Sequence, residues 1–184
     1  MANIVQLKPK EKSLALTKLK TTSPKQITEK VVTTLESIMD LKIEERVNKD
    51  YEVIDYDIKD IHSLNKQQLT QAEKAIEYAM IPMPLGEMED EMLKTLMVMV
   101  KPSQESSSDV AMRCNLLIQE LQHYPADIFM HTLKIIKGSH TFFPSLHEFR
   151  LVGDWHYEKR VRLQALIHRC KERINNTSID KPSK

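Results

Sequence analysis

The chain has 184 residues, 41% hydrophobic and 29% charged, with a formal net charge of +1 and only three glycines. That length suits one domain of ordinary size with a tail, or two small ones. So few glycines exclude the many φ > 0 turns of an all-β fold, and an all-α protein is the expectation.

The small net charge conceals a segregated distribution. Residues 1–30 hold seven lysines and two acids, residues 31–109 eight basic and seventeen acidic groups, and residues 139–184 nine basic and five acidic groups. Basic ends can steer toward an anionic partner, or the acidic middle can bind them intramolecularly. Cys114 and Cys170 match no C-x-x-C spacing, so reduced core thiols are expected. No secretion-type apolar region opens the chain, and no run of about 18 apolar residues could span a bilayer. The expectation is a cytoplasmic protein without membrane contact.

Residues 1–22 are Lys-rich without a sustained period and read as a flexible basic arm. At "SPKQITEKVVTTLESIMDL", Ser23 suits an N-cap, Pro24 the N1 position and Gln26 the return bond of a capping box. Ile27, Val31, Leu35, Ile38 and Met39 then keep helical spacing, which predicts a helix to about Arg46. In "NKDYEVIDYDIKDIH", Ile54, Tyr56 and Ile58 alternate with Asp55 and Asp57. A lone short strand has no evident partner, so an extended acidic linker is expected. A calcium loop fails there, because Lys59, Asp60 and Lys66 stand where a ligand, a glycine and a glutamate are needed.

A second helix is predicted over 64–80, with Leu69, Ala72, Ala75, Ile76 and Ala79 on one face. "IPMPLGE" breaks the chain with Pro82 and Pro84. A Met-rich helix is predicted over 87–100; its thioethers could fill a core or line an adaptable groove, which makes Met92 and Met99 candidate partner contacts. Ser108 or Asp109 is expected to cap the next helix, with Val110, Cys114, Leu117, Ile118 and Leu121 inward. Pro125 is expected at N1 of a helix that buries Ile128, Phe129, Leu133 and Ile136 and stops at Gly138 as C′ residue. Ser145 and Glu148 then satisfy S-x-x-E at the start of a last helix. Phe149, Val152, Leu163, Leu166, Ile167, Cys170 and Ile174 share one arc, weakened at His156 and Lys159, with a break expected at Gly153 if anywhere. Phe142 and Phe143 stand at the joint, either wedged between helices or as partner contacts.

The chain lacks a Gly-rich phosphate loop and G-x-S-x-G, and Leu151 stands where H-E-x-x-H needs its second histidine after His147. The seven histidines have no metal-ligand spacing. No catalytic, cofactor or metal site is therefore expected. The basic last helix makes Arg160, Arg162, Arg169 and Arg173 candidate nucleic-acid contacts. Arg162, Arg169 and Arg173 fall on one edge of the apolar arc and Arg160 on the other, an arrangement that also suits helix packing.

The block from His123 to Arg150 combines Tyr124-Pro125, the amphipathic run from Ile128 to Ile136, Phe142-Phe143-Pro144 and Glu148-Phe149. It resembles the replicative-helicase loader and inhibitor proteins of tailed phages and prophages. The resemblance implies a small helical domain without catalytic activity whose partner is the replicative hexameric helicase. It also implies a flexible charged segment that engages the helicase; here the candidate, residues 1–62, precedes the helical domain. The expected organisation is a basic arm over 1–22, an acidic helical region with a linker over 23–81, a helical domain over 82–174, and a disordered tail over 175–184. The leading expectation is a replication accessory protein that binds a helicase or another replication protein. A small DNA-binding protein, regulatory or packaging-related, is the alternative.

Overall fold

A computed structural model of the protein describes residues 24–40, 42–58, 64–100 and 106–179. The expected basic arm, the capping role of Ser23 and residues 180–184 lie outside the described residues. The elements are α1 (Pro24–Met39), β1 (Ile43–Val47), β2 (Val53–Ile58), α2 (Lys66–Ala79), α3 (Leu85–Leu96), α4 (Ser107–Leu121), α5 (Ala126–Ser139) and α6 (Leu146–Ile179). The molecule is predominantly helical, as expected, with one small sheet.

The first helix stops seven residues before the expected Arg46. Asp40 takes φ 55°, the left-handed conformation that terminates helices. Residues 43–47, expected as helix, form β1, and the expected linker supplies its antiparallel partner β2, with Ile43 opposite Ile58 and Glu45 opposite Tyr56. The register slips between Arg46 and Val47, so Ile54 is the extra residue of a bulge. Val53, Tyr56 and Ile58 therefore face inward while Ile54 is exposed. The hairpin is closed through Asn48, whose side-chain oxygen accepts from the N–H groups of Asp50 and Glu52, both at 2.9 Å.

Asn65 and Gln68 form the capping box of α2, and the Gln68 amide also donates to Met39 O, tying the start of α2 to the end of α1. α3 ends at Leu96, short of the expected Val100. Ser106, not Ser108 or Asp109, caps α4, and Asp109 serves as its N3 partner. Pro125 sits one position outside α5 as its N-cap rather than at N1. α5 runs through Gly138 to Ser139, and no glycine has positive φ, so the expected C′ role of Gly138 is not used. α6 is unbroken at Gly153 and continues to Ile179, beyond residue 174 where the helical domain was expected to end. At its start the Glu148 carboxylate accepts from the Ser145 N–H at 2.7 Å and hydroxyl at 2.8 Å, the expected return bond of the cap.

Two hydrophobic cores lie along α6. In one, α1, the hairpin and α2 bury Leu35, Met39, Tyr56 and Ile76 against Leu163 and Ile167 of α6. In the other, α3, α4 and α5 bury Met88, Met92, Leu121, Phe129 and Ile136 against Phe149 near the start of α6. Each such aliphatic or aromatic side chain, fully buried, contributes roughly 1.5–3 kcal/mol. The proline-bearing stretch lies between the cores in the chain: Ala126 N–H donates to Ile81 O at 3.0 Å, and Pro82 bridges to Pro125.

Candidate protein interface

The four arginines expected to meet nucleic acid are turned to intramolecular work. Arg160 is fully buried. It lies at the centre of the packed stripe rather than on its edge, because the seam of α6 runs Phe149, Gly153, His156, Arg160, Leu163, Ile167 and Cys170 in alternating steps of four and three. Its two terminal nitrogens grip both carboxylate oxygens of buried Asp127, and one of them also donates to Ala79 O at 2.7 Å. Arg162 donates to Val53 O and to Glu158, and Arg169 donates to Asp55 at 2.9 Å and to Tyr56 O at 3.1 Å. The Arg169 guanidinium holds the Asp55 carboxyl below its usual range. Arg173 is exposed and is not free either. With Lys171 on Glu73 and Lys159 beside Glu45, the acidic amino-terminal half and the basic helix bind each other, and the outer edge of β2 is covered in the process.

The other four candidates separate by burial. Met92 is fully buried in the second core and offers nothing to a partner, and Met99 is half-buried against the same core. Phe143 also packs there, edge-on to Phe149 at 6.1 Å with the Arg113 guanidinium over its ring at 6.0 Å. Phe142, its neighbour, is 58% exposed. The two rings of the joint therefore separate: Phe143 packs between helices, and Phe142 stays at the surface.

The structure brings Phe142 to the end of the Met-rich segment. Val100 N–H donates to Thr141 O at 2.9 Å, and Val100 and Phe142 form a short parallel bridge. Beside it Met97 is 85% and Val98 66% exposed, and Leu93, one turn before Met97, is half exposed. A groove of about 530 Å3 next to the joint is lined by Leu116, Leu117, Phe143 and Pro144 between Arg113 and Glu120. The backbone bond ties the segment that carries Phe142 to the one that carries the exposed Met97, Val98 and Val100. The apolar face predicted for 87–100 included Met97 but not Val98; because the helix ends at Leu96, both lie at the surface.

A second arrangement escaped sequence reading altogether. Asp127, His131 and Thr132 of α5, His156 and Arg160 of α6, and Thr28 of α1 are all buried. The His131 and His156 rings meet edge to face at 5.2 Å, and Thr28 Oγ1 lies 3.5 Å from His156 Nδ1. Burial, then the positive charges near it, push His156 down to about 4, and burial lowers His131 as well. Both cysteines are buried, in different cores, and burial pushes the Cys114 thiol up to about 11, as befits a packing thiol. Among the described residues no group of three or more His, Cys, Asp or Glu could hold a metal ion, and no helix is long and apolar enough to cross a membrane. No family model matches the chain, and no curated protein or solved structure matches it either.

Proposed function

We propose that the chain is a non-enzymatic binding protein that works through the surface formed by Leu93, Met97, Val98, Val100 and Phe142. The observation that carries this is the exposure of five large apolar side chains, two of them on segments joined by a backbone hydrogen bond. Exposed apolar clusters of this kind are characteristic of interaction sites. The partner suggested by the resemblance of residues 123–150 is a replicative hexameric helicase, and the mechanism is mass action: the protein holds one helicase conformation and shifts loading or unwinding without chemistry of its own. Protein contact is preferred to DNA contact because Arg160, Arg162 and Arg169 are already engaged within the chain.

The test is co-elution with the host replicative helicase, followed by titration of the Met97→Ser/Phe142→Ser variant. Binding in the micromolar range or tighter is expected, weakened at least about 30-fold in the variant, the effect of losing an interface hot spot. Absence of a complex at about 10 μM of both proteins, or equal affinity of a folded variant, removes the reading.

A further inference from the structure

We infer that the His131–His156 layer is a proton-sensitive hinge, at which α5 parts from α1 and the middle of α6 while the two cores stay intact. The geometry has three elements. First, the layer lies between the cores: Asp127 and His131 are one turn apart on α5, and Arg160 and His156 are one turn apart on α6, so the two pairs stack as successive rungs. Second, the rungs are sealed. His131 and His156 are 5% and 3% exposed, so burial disfavours the charged ring while the layer is closed. Third, the surroundings oppose a second charge. The groups that act on the rings are Lys134 and Asp127 from α5 and Lys159 and Arg160 from α6; α1 adds the neutral Thr28 hydroxyl, and α2 reaches the layer through Ala79 O on Arg160. One carboxylate therefore faces Arg160 already, and protonated rings would stand beside an arginine and each other.

The sign follows from linkage. A histidine kept neutral when closed and free to titrate near 6.5 when open favours neither state well above that pH. Below it the open state binds the proton, and each ring multiplies the open population by up to about tenfold per pH unit, until the closed state itself titrates. For His156 that lower limit is about 4. Among the described residues the other histidines, His123, His140, His147 and His168, are exposed or half-buried, so neither core carries a comparable buried pair.

Hydrogen exchange of the full chain between pH 7.5 and 5.0, corrected for intrinsic exchange rates, tests this. Amides of Thr28, His131, Thr132, His156 and Arg160 are expected to lose protection at least about tenfold at pH 5.0, while those of the core residues Ile76, Leu121 and Leu163 keep theirs. In His131→Phe/His156→Phe the layer's dependence on pH is expected to disappear. Should that pair not fold, His131→Gln/His156→Gln, which retains a polar group without a titrating one, serves the same purpose. Equal layer protection at the two pH values overturns the inference. So does loss of protection in the cores in step with the layer, or a pH dependence that survives in the variants.

Discussion

Gly138 and Gly153 occupy similar helical backbone and differ in what lies opposite. Nothing stands within 4 Å of a Cβ added at Gly138, whereas at Gly153 it would lie 2.7 Å from Cζ of the Tyr124 ring, which crosses α6 there and donates its hydroxyl to Asp154. Gly138→Ala is therefore expected to raise stability by about 0.5–1 kcal/mol through helix propensity. Gly153→Ala is expected to lower it by about 1–3 kcal/mol, because the ring must move and overpacking outweighs the same propensity gain. Urea unfolding of the two variants checks both signs. In the sequence the two residues look alike, and each reads as a helix breaker. Only the partner across the interface, Tyr124, 29 residues before Gly153, separates them, and no local pattern carries that information.

At the scale of elements, the helices were legible and the hairpin was not. Leu35, Met39, Ile43 and Val47 recur every four residues, so the stripe of α1 continues without a flaw into β1. The helix ends because Asp40 turns left-handed and because β2 offers a strand to pair with, a tertiary fact that overrides periodicity. The β2 alternation was visible, but its phase was not: the bulge at Ile54 brings Val53 inward in place of Ile54. The loop between the strands carries a further strain. Tyr51 is 88% exposed at φ 61°, a conformation that costs a bulky residue about 1–2 kcal/mol. Tyr51→Asn is expected to stabilise the protein by up to about 1 kcal/mol, because asparagine tolerates that backbone and little packing is lost. Asn48→Ala is expected to cost about 1–2 kcal/mol, since two loop N–H groups lose their acceptor. Both shifts are measured by thermal unfolding, and amide chemical shifts should change only around residues 43–58.

At the scale of the whole molecule, the two cores were partly legible as apolar stripes, but the device that joins them was read as surface. Sequence patterning assigns arginine, histidine and aspartate to solvent, so the stripe of α6 appeared to weaken where it is most deeply packed. The Asp127–Arg160 pair spans three helices there: Asp127 lies in the first turn of α5, Arg160 at mid-α6, and the Ala79 carbonyl at the end of α2. The carboxylate suits a helix amino terminus and the guanidinium a carboxyl terminus, so the pair meets both dipoles favourably. Yet Arg160 Nε is buried without a hydrogen-bond partner, so the pair is not fully compensated. Its net worth is therefore small compared with the cost of breaking it. Arg160→Met leaves a buried carboxylate alone and is expected to destabilise by about 3–5 kcal/mol, and Asp127→Leu leaves a buried guanidinium with a similar penalty. Arg160→Met/Asp127→Leu removes both charges and is expected to recover most of the loss, so the double-mutant cycle in urea should show strong coupling. If the two losses simply add, the pair is not the bridge between the cores, and the contact of Ala126 with Ile81 would carry that role instead.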